Sequence, residues 1–192
     1  LQTPMNYIPT AIEGVWLIEP RCMGDTRGYF METLRLEELR RAIGRPDLEF
    51  VQDNESVSTR GVLRGLHLQR GNASQAKLVR VSQGAVLDVV VDLRPGSVTF
   101  GRHLEVMLSA ENHLQLFVPR YFAHGFQVLS DVAQFQYKVD NIYCPQAEAT
   151  LRFDDPAVGV RWPLREEALL SPKDLHGMAL EEIAPLVADF IP

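Results

Sequence analysis

Cysteine is scarce in this chain. Only Cys22 and Cys144 occur in 192 residues, with neither the count of a disulfide framework nor the spacing of a zinc site. They read as free structural thiols in a reducing compartment, and a cytoplasmic location is expected. Basic charge is also short. Nineteen Lys and Arg stand against 25 Asp and Glu, a net charge of −6, which argues against binding nucleic acid by general charge. No apolar run approaches the roughly 18 residues of a spanning helix, so no membrane segment is expected. The start of the chain lacks the basic segment and apolar run of a signal peptide. Repeats, low-complexity segments and linkers are missing as well. What remains is an ordinary globular composition, 46% hydrophobic and 23% charged, in a chain long enough for one domain with a sizeable core. That domain is read as residues 5–192, with residues 1–4 an appended remnant ahead of Met5.

The patterning is mostly that of short strands. Residues 15–18 and 29–32 read as the first two, separated by the turn composition Asp25-Thr-Arg-Gly28. Thr33 reads as the cap of a helix that buries Leu36, Leu39 and Ile43 and stops at Gly44 and Pro46. From Phe50 onward the pattern is all-β. The β-branched run 85–93 reads as a central strand. Residues 103–108 and 114–118 are expected to pair, as are 125–129 and 134–139. Short strands with polar turns argue a sandwich or barrel. Toward the C-terminus, Asp154-Asp-Pro156 reads as a turn and 160–163 as a short extended piece. Ser171 reads as a helix start, and 180–187 as a short helix interrupted at Pro185.

One stretch organises the rest: GVLRGLHLQRGNASQAKLVRVSQG, residues 61–84. His67 lies on an alternating apolar run with Arg64 just before it. On the next run, alternation puts Lys77, Val79 and Val81 on one face and Leu78 and Arg80 on the other. Basic groups on apolar strands suggest a lined pocket. The spacing Gly61, His67, Gln69, Lys77, Gly84 resembles the first cupin motif, and Pro119-Arg-Tyr-Phe-Ala-His124 resembles the second. In metal-binding cupins the places of Gln69 and Lys77 hold a histidine and a glutamate. Lysine brings positive charge where a divalent ion needs an anion or a neutral donor. The expectation is a cupin cavity without a metal.

Further motifs narrow the resemblance. Asp25-x-Arg27-Gly28-x-Phe30, Gln52-Asp-Asn54-x-Ser56, Arg64-Gly-Leu-His67, Gln75-Ala-Lys77, Ala123-His124-Gly-Phe126, Tyr137-Lys138 and Asp154-Asp-Pro156 follow one another in this order. Together they resemble the dTDP-4-dehydrorhamnose 3,5-epimerase family across roughly residues 11 to 175. The resemblance implies a mainly β fold: a cupin-type antiparallel β-barrel, or jelly roll, with a short N-terminal helix and short C-terminal helices. It implies a homodimer with shared active sites that acts, without a cofactor, on a dTDP-linked 4-keto-6-deoxy sugar. The product would be dTDP-4-keto-L-rhamnose, inverted at C3 and C5. Tyr121 stands where the family usually has glycine, and Ala149-Thr150 replaces a more usual pair; both departures are expected near the sugar.

Epimerisation beside a ketone needs a base, a group that holds the enolate oxygen, and an acid on the opposite face. His67 is the candidate base, since an imidazole suits proton abstraction near neutral pH. The resemblance assigns its partner to Asp174; the plainer alternatives are a hydrogen-bonded core histidine and a helix-capping aspartate. Tyr137 is the candidate acid, its phenol made effective by nearby cations, with Tyr143 the rival and a core aromatic the bland alternative. Lys77 and Arg64 are candidates for the enolate oxygen, against a role in binding diphosphate. His124 is expected to donate a hydrogen bond to the sugar. By resemblance Arg27, Phe30, Glu32, Gln52, Asn54 and Glu148 take the nucleotide, part of the set reaching across from a partner subunit. A single-position epimerase, a ketoisomerase on the same scaffold, and a sugar-nucleotide binding module without turnover are the competing readings. A metal-dependent cupin oxygenase is disfavoured by Gln69 and Lys77.

Overall fold

Side-chain alternation along the strands decides the layers. On β12 (Val132–Val139), Ala133, Phe135 and Val139 are buried while Gln134, Gln136 and Lys138 are not. On β7 (Lys77–Gln83), Val79 and Val81 join Phe135 in one apolar cluster, and Leu78 joins a different one. The expected division of faces on this strand is therefore found. The structure is a computed structural model that describes residues 5–188. The expected remnant 1–4 and the end of the expected domain, 189–192, lie outside the described residues.

Strands are numbered in chain order. A six-stranded antiparallel sheet runs β1 (Asn6–Pro9), β2 (Trp16–Glu19), β10 (Gln115–Val118), β7, β12, β5 (Gln52–Thr59). A five-stranded sheet runs β13 (Glu148–Thr150), β6 (Leu63–Gln69), β11 (Phe122–Val128), β8 (Ala85–Asp92), β9 (His103–Ser109). Between them lies a cluster that includes Val79, Val86, Val90, Phe126 and Phe135. The outer face of the five-stranded sheet packs Leu66, Leu68, Val89 and Val91 against Trp162 and against Ile183 and Val187 of α3 (Leu180–Ala188). Leu39 of α1 (Leu36–Ile43) covers Ile18, Leu78 and Phe117 on the other sheet. The expected jelly roll is thus found, with its short helices. The hairpin β3 (Cys22–Asp25) and β4 (Gly28–Met31) stands apart and exposed.

Several local expectations need correction. β9 pairs with β8, and β10 with β2 and β7, so residues 103–108 and 114–118 do not pair. β11 and β12 likewise sit in different sheets. In a jelly roll many short connections cross between sheets, and strand patterning carries no trace of which ones. Helix α1 begins later than expected. Its cap position is Arg35, without a side-chain cap, and Thr33 instead offers its carbonyl to Gln115 Nε2 at 2.8 Å. Gly44 ends it at φ 70 as expected. Pro185 does not interrupt α3. Both cysteines are free, but Cys22 is exposed and so plays no part in the core.

Candidate active site

The site begins with a slip in strand register. His67 on β6 and His124 on β11 are directly opposed, but the next opposed pair is Phe126 with Arg64. β6 thus carries one residue more than its neighbour over this interval. The extra residue turns Arg64 and His67 toward one cavity, although strict alternation would part residues three apart. Two glycines permit it. Gly65 has φ 125, and a Cβ there would lie 2.7 Å from Gly125 Cα; a Cβ on Gly125 would lie 2.4 Å from the Arg64 carbonyl oxygen. The two strands approach closely because neither position carries a side chain.

Arg64 and His67 open on a cavity of about 250 Å³ floored by Phe126 and Phe135, whose rings stack at 4.1 Å. Lys77 enters from β7, His124 from β11, Tyr137 from β12 and Glu148 from β13, with Tyr143 and Lys173 also in the wall. The chain brings Asp174 to the same place on α2 (Pro172–Leu175), capped by Ser171 as expected. His67 Nε2 lies 2.5 Å from Asp174 Oδ1. A carboxylate only accepts, so Nε2 carries a proton, and in the neutral ring Nδ1 holds the lone pair. Burial raises the Asp174 carboxyl, but the bond and charge of His67, then Ser171 and Lys173, outweigh it and hold the group below its usual range. Lys77 has no hydrogen-bond acceptor among the described residues. Its remaining accessible surface faces the cavity, and burial pushes it down from 10.5 to about 8, against the opposing pull of the Asp88 and Glu148 carboxylates. Arg64 donates from Nε to Ser58 Oγ at 3.0 Å and forms no ion pair among the described residues.

Two expected roles change in the structure. His124 Nε2 lies 2.9 and 3.1 Å from the oxygens of Asp88. Burial lowers its pKa, with the charges of Lys77 and His67 adding to the effect against Asp88. A neutral ring that donates Nε2–H to Asp88 keeps only Nδ1, an acceptor, so His124 cannot be the expected donor. Asp88 was missed because it sits between the inward Val86 and Val90 of β8, a placement that marks burial but not a partner. Tyr137 also differs. Burial raises its phenol more than Arg64 lowers it, so the cations do not acidify it; it stays protonated at neutral pH, which is the form an acid needs. Tyr143 lies beyond the end of β12, in a loop, and donates to Glu148 Oε2 at 3.1 Å. Lys173 takes the other Glu148 oxygen at 2.7 Å.

The remaining expected residues do not gather here. Arg27 is 88% exposed on the hairpin and, among the described residues, bonds only Asp25. Phe30 is 63% exposed beside it. Glu32 is held by Arg35. Gln52 gives Nε2 to Asn54 and accepts Tyr143 N; on β5 Asn54 lies next to Glu55 of the cavity wall, and Gln52 two residues further out. Tyr121 and Ala149 pack on the outer face of the five-stranded sheet, away from the cavity, because strand alternation turns Ala149 opposite to Glu148. The cupin metal set does not fit either. Gln69 Oε1 accepts Cys144 N at 2.8 Å, both imidazoles give Nε2 to carboxylates, and Lys77 is cationic. Excess chelator is expected to leave kcat unchanged; inhibition reversed by one divalent metal would reject this.

A jelly roll whose cavity sets a carboxylate-supported imidazole, a protonated phenol and a buried ammonium around one space defines a cupin-fold isomerase built for proton transfer at carbon. The family described as dTDP-4-dehydrorhamnose 3,5-epimerase matches residues 9–182, and the chain belongs to it. It is 48% identical to the dTDP-4-dehydrorhamnose 3,5-epimerase of Escherichia coli (strain K12), over 95% of this chain and 98% of that one. It is 39% identical to a dTDP-4-dehydrorhamnose 3-epimerase of Streptomyces niveus, over 93% and 85%. A crystal structure of dTDP-6-deoxy-D-glucose-3,5-epimerase from Legionella pneumophila Philadelphia 1, in complex with dTDP-4-keto-L-rhamnose, superposes with a TM-score of 0.91 at 44% identity and covers 98% of each chain.

Proposed function

We propose that this chain inverts C3 and C5 of a dTDP-4-keto-6-deoxyhexose to give dTDP-4-keto-L-rhamnose, without a cofactor, in deoxysugar biosynthesis. The observation that carries the mechanism is the bond between His67 Nε2 and Asp174 in a cavity that also holds Tyr137 and Lys77. His67 Nδ1 takes the proton from the carbon beside the ketone. The C–H electron pair becomes the enolate, and its oxygen is held by Lys77 and Arg64. Tyr137 returns a proton to the opposite face and is reprotonated by water, while His67 gives the abstracted proton back to water, so both groups are restored for the second carbon. No electron leaves the substrate, so no oxidant or reductant is needed. Relatives named as 3,5-epimerases are more similar than the one named as a 3-epimerase, which favours two inversions over one.

Tyr137→Phe is expected to separate exchange from inversion. His67 can still abstract a proton and return it to the same face, so in deuterated water the variant labels the substrate with retention. Tyr143→Phe should leave inversion nearly unchanged, since that hydroxyl is bonded to Glu148. NMR of C3 and C5 reads both outcomes. Wild-type inversion by Tyr137→Phe with loss in Tyr143→Phe would exchange the two roles.

The active enzyme is a homodimer in which each hairpin supplies Arg27 and Phe30 to the nucleotide in the other subunit's site. Their exposure, and their distance from their own cavity wall, support this. Residues 5–192 act as one domain, and the free thiols suit the cytoplasm. Mixing Arg27→Ala chains with His67→Ala chains is expected to restore activity that neither has alone; no restoration after confirmed subunit exchange would reject shared sites.

A further inference from the structure

The carboxylate of Asp174 has two oxygens, and His67 uses only one. Ser171 Oγ lies 2.9 Å from Asp174 Oδ2, and the same Oγ accepts the backbone N–H of Asp174 at 3.2 Å. The serine is therefore bonded to Asp174 twice, once as donor and once as acceptor, which fixes both the carboxylate plane and the backbone that carries it. Asp174 is 3% exposed while Ser171 is exposed, so the hydroxyl stands between Oδ2 and water. A helix cap alone needs only the accepting half of this arrangement. The donating half serves the side chain that holds His67.

We propose that Ser171 is a positioning residue for the reaction, the outer member of a Ser171–Asp174–His67 chain that fixes the imidazole for proton abstraction. It touches no substrate and acts through Asp174. The inference rests on His67 as the base. Without the hydroxyl, water competes for Oδ2, the carboxylate rotates more freely, and the ring loses its fixed orientation.

The test is a set of variants assayed for kcat, KM and thermal stability, together with NMR of the His67 Nε2 proton. Ser171→Gly is the main variant, because glycine caps helices nearly as well as serine but has no hydroxyl. Its kcat is expected to fall about three- to tenfold, the worth of one hydrogen bond, with KM unchanged and the Nε2 proton signal shifted or broadened. Ser171→Thr, which keeps the hydroxyl, is expected to restore both. In an Asp174→Asn background, Ser171→Gly is expected to cost nothing further in kcat. An equal loss in that background, or an unmoved Nε2 signal with full activity, overturns the proposal and leaves His67 as the base. An Asp174→Asn enzyme with wild-type kcat removes Asp174 as the support of the base, and the role of Ser171 with it, while a His67→Ala enzyme with wild-type kcat removes the base assignment itself.

Discussion

Replacement of His67 by alanine is expected to lower kcat by about 10² to 10⁴, the usual worth of a general base. Exchange of deuterium should be lost at both C3 and C5. The fold should survive: the His67 ring is half-buried at the cavity, bonds only Asp174 among the described residues, and packs in none of the three apolar clusters. The local cost falls on Asp174. Its carboxyl is held low chiefly by His67 against its own burial, so in the variant its pKa rises and it takes up a proton more readily. Binding of dTDP should persist, because five of the six groups expected to take the nucleotide lie outside this cavity wall, and the sixth, Glu148, is held by Tyr143 and Lys173 and not by His67. Steady-state kinetics with circular dichroism and dTDP titration check all three. A kcat within a few-fold of wild type would sink the assignment.

Lys77→Met is expected to lower kcat by about 10² to 10³, as removal of a preorganised oxyanion donor does, with a much smaller effect on dTDP affinity. An effect confined to KM would move Lys77 to phosphate binding. The same substitution should stabilise the free protein. Folding depresses Lys77 from 10.5 to about 8, so the protonated amine is disfavoured in the folded state. At neutral pH methionine removes that cost, a gain of about 2 kcal/mol once water in the cavity is allowed for. Between pH 8 and 10.5 the folded wild type sheds its proton before the unfolded chain does. Wild-type stability then rises relative to the variant, and the difference should shrink across that window. Wild-type kcat should fall as pH passes 8 and the ammonium is lost. Denaturant titrations at several pH values, beside the pH profile of kcat, test both signs. A destabilised variant, or kcat indifferent to pH near 8, would show that Lys77 is held by something other than the cavity.

Much of the site was legible because its residues sit inside motifs of fixed spacing. His67 and Lys77 were read from strand patterns and cupin-like spacing, His124 from the second cupin-like motif and Tyr137 from the family resemblance, and all four line one cavity. The protonation states were not legible. A histidine reads as donor or acceptor only once its partner is known, and Asp88 lies far from His124 in sequence but on the neighbouring strand in the sheet. Tyr137 was expected to be acidified by cations, yet its burial outweighs them. Helix α1 was read from its apolar spacing, but its start was misjudged because Gln115, a remote residue, engages Thr33.

The sequence by itself determined the family, the mainly β fold, the faces of β7, and the absence of a metal-ligand set at 67, 69, 77 and 124. These follow from residue identity and from a strand period of two, both local properties. Tertiary structure alone decided which strands pair, because connections of similar length either turn back within a sheet or cross to the other one. It also decided that Arg64 and His67 share a face. That depends on an extra residue in β6 set against β11 where Gly65 meets Gly125, and a register exists only between two strands. The union of His67 with Asp174, 107 residues away, has the same origin: α2 must dock beside β6 before an aspartate of its first turn, capped by Ser171, can support a base.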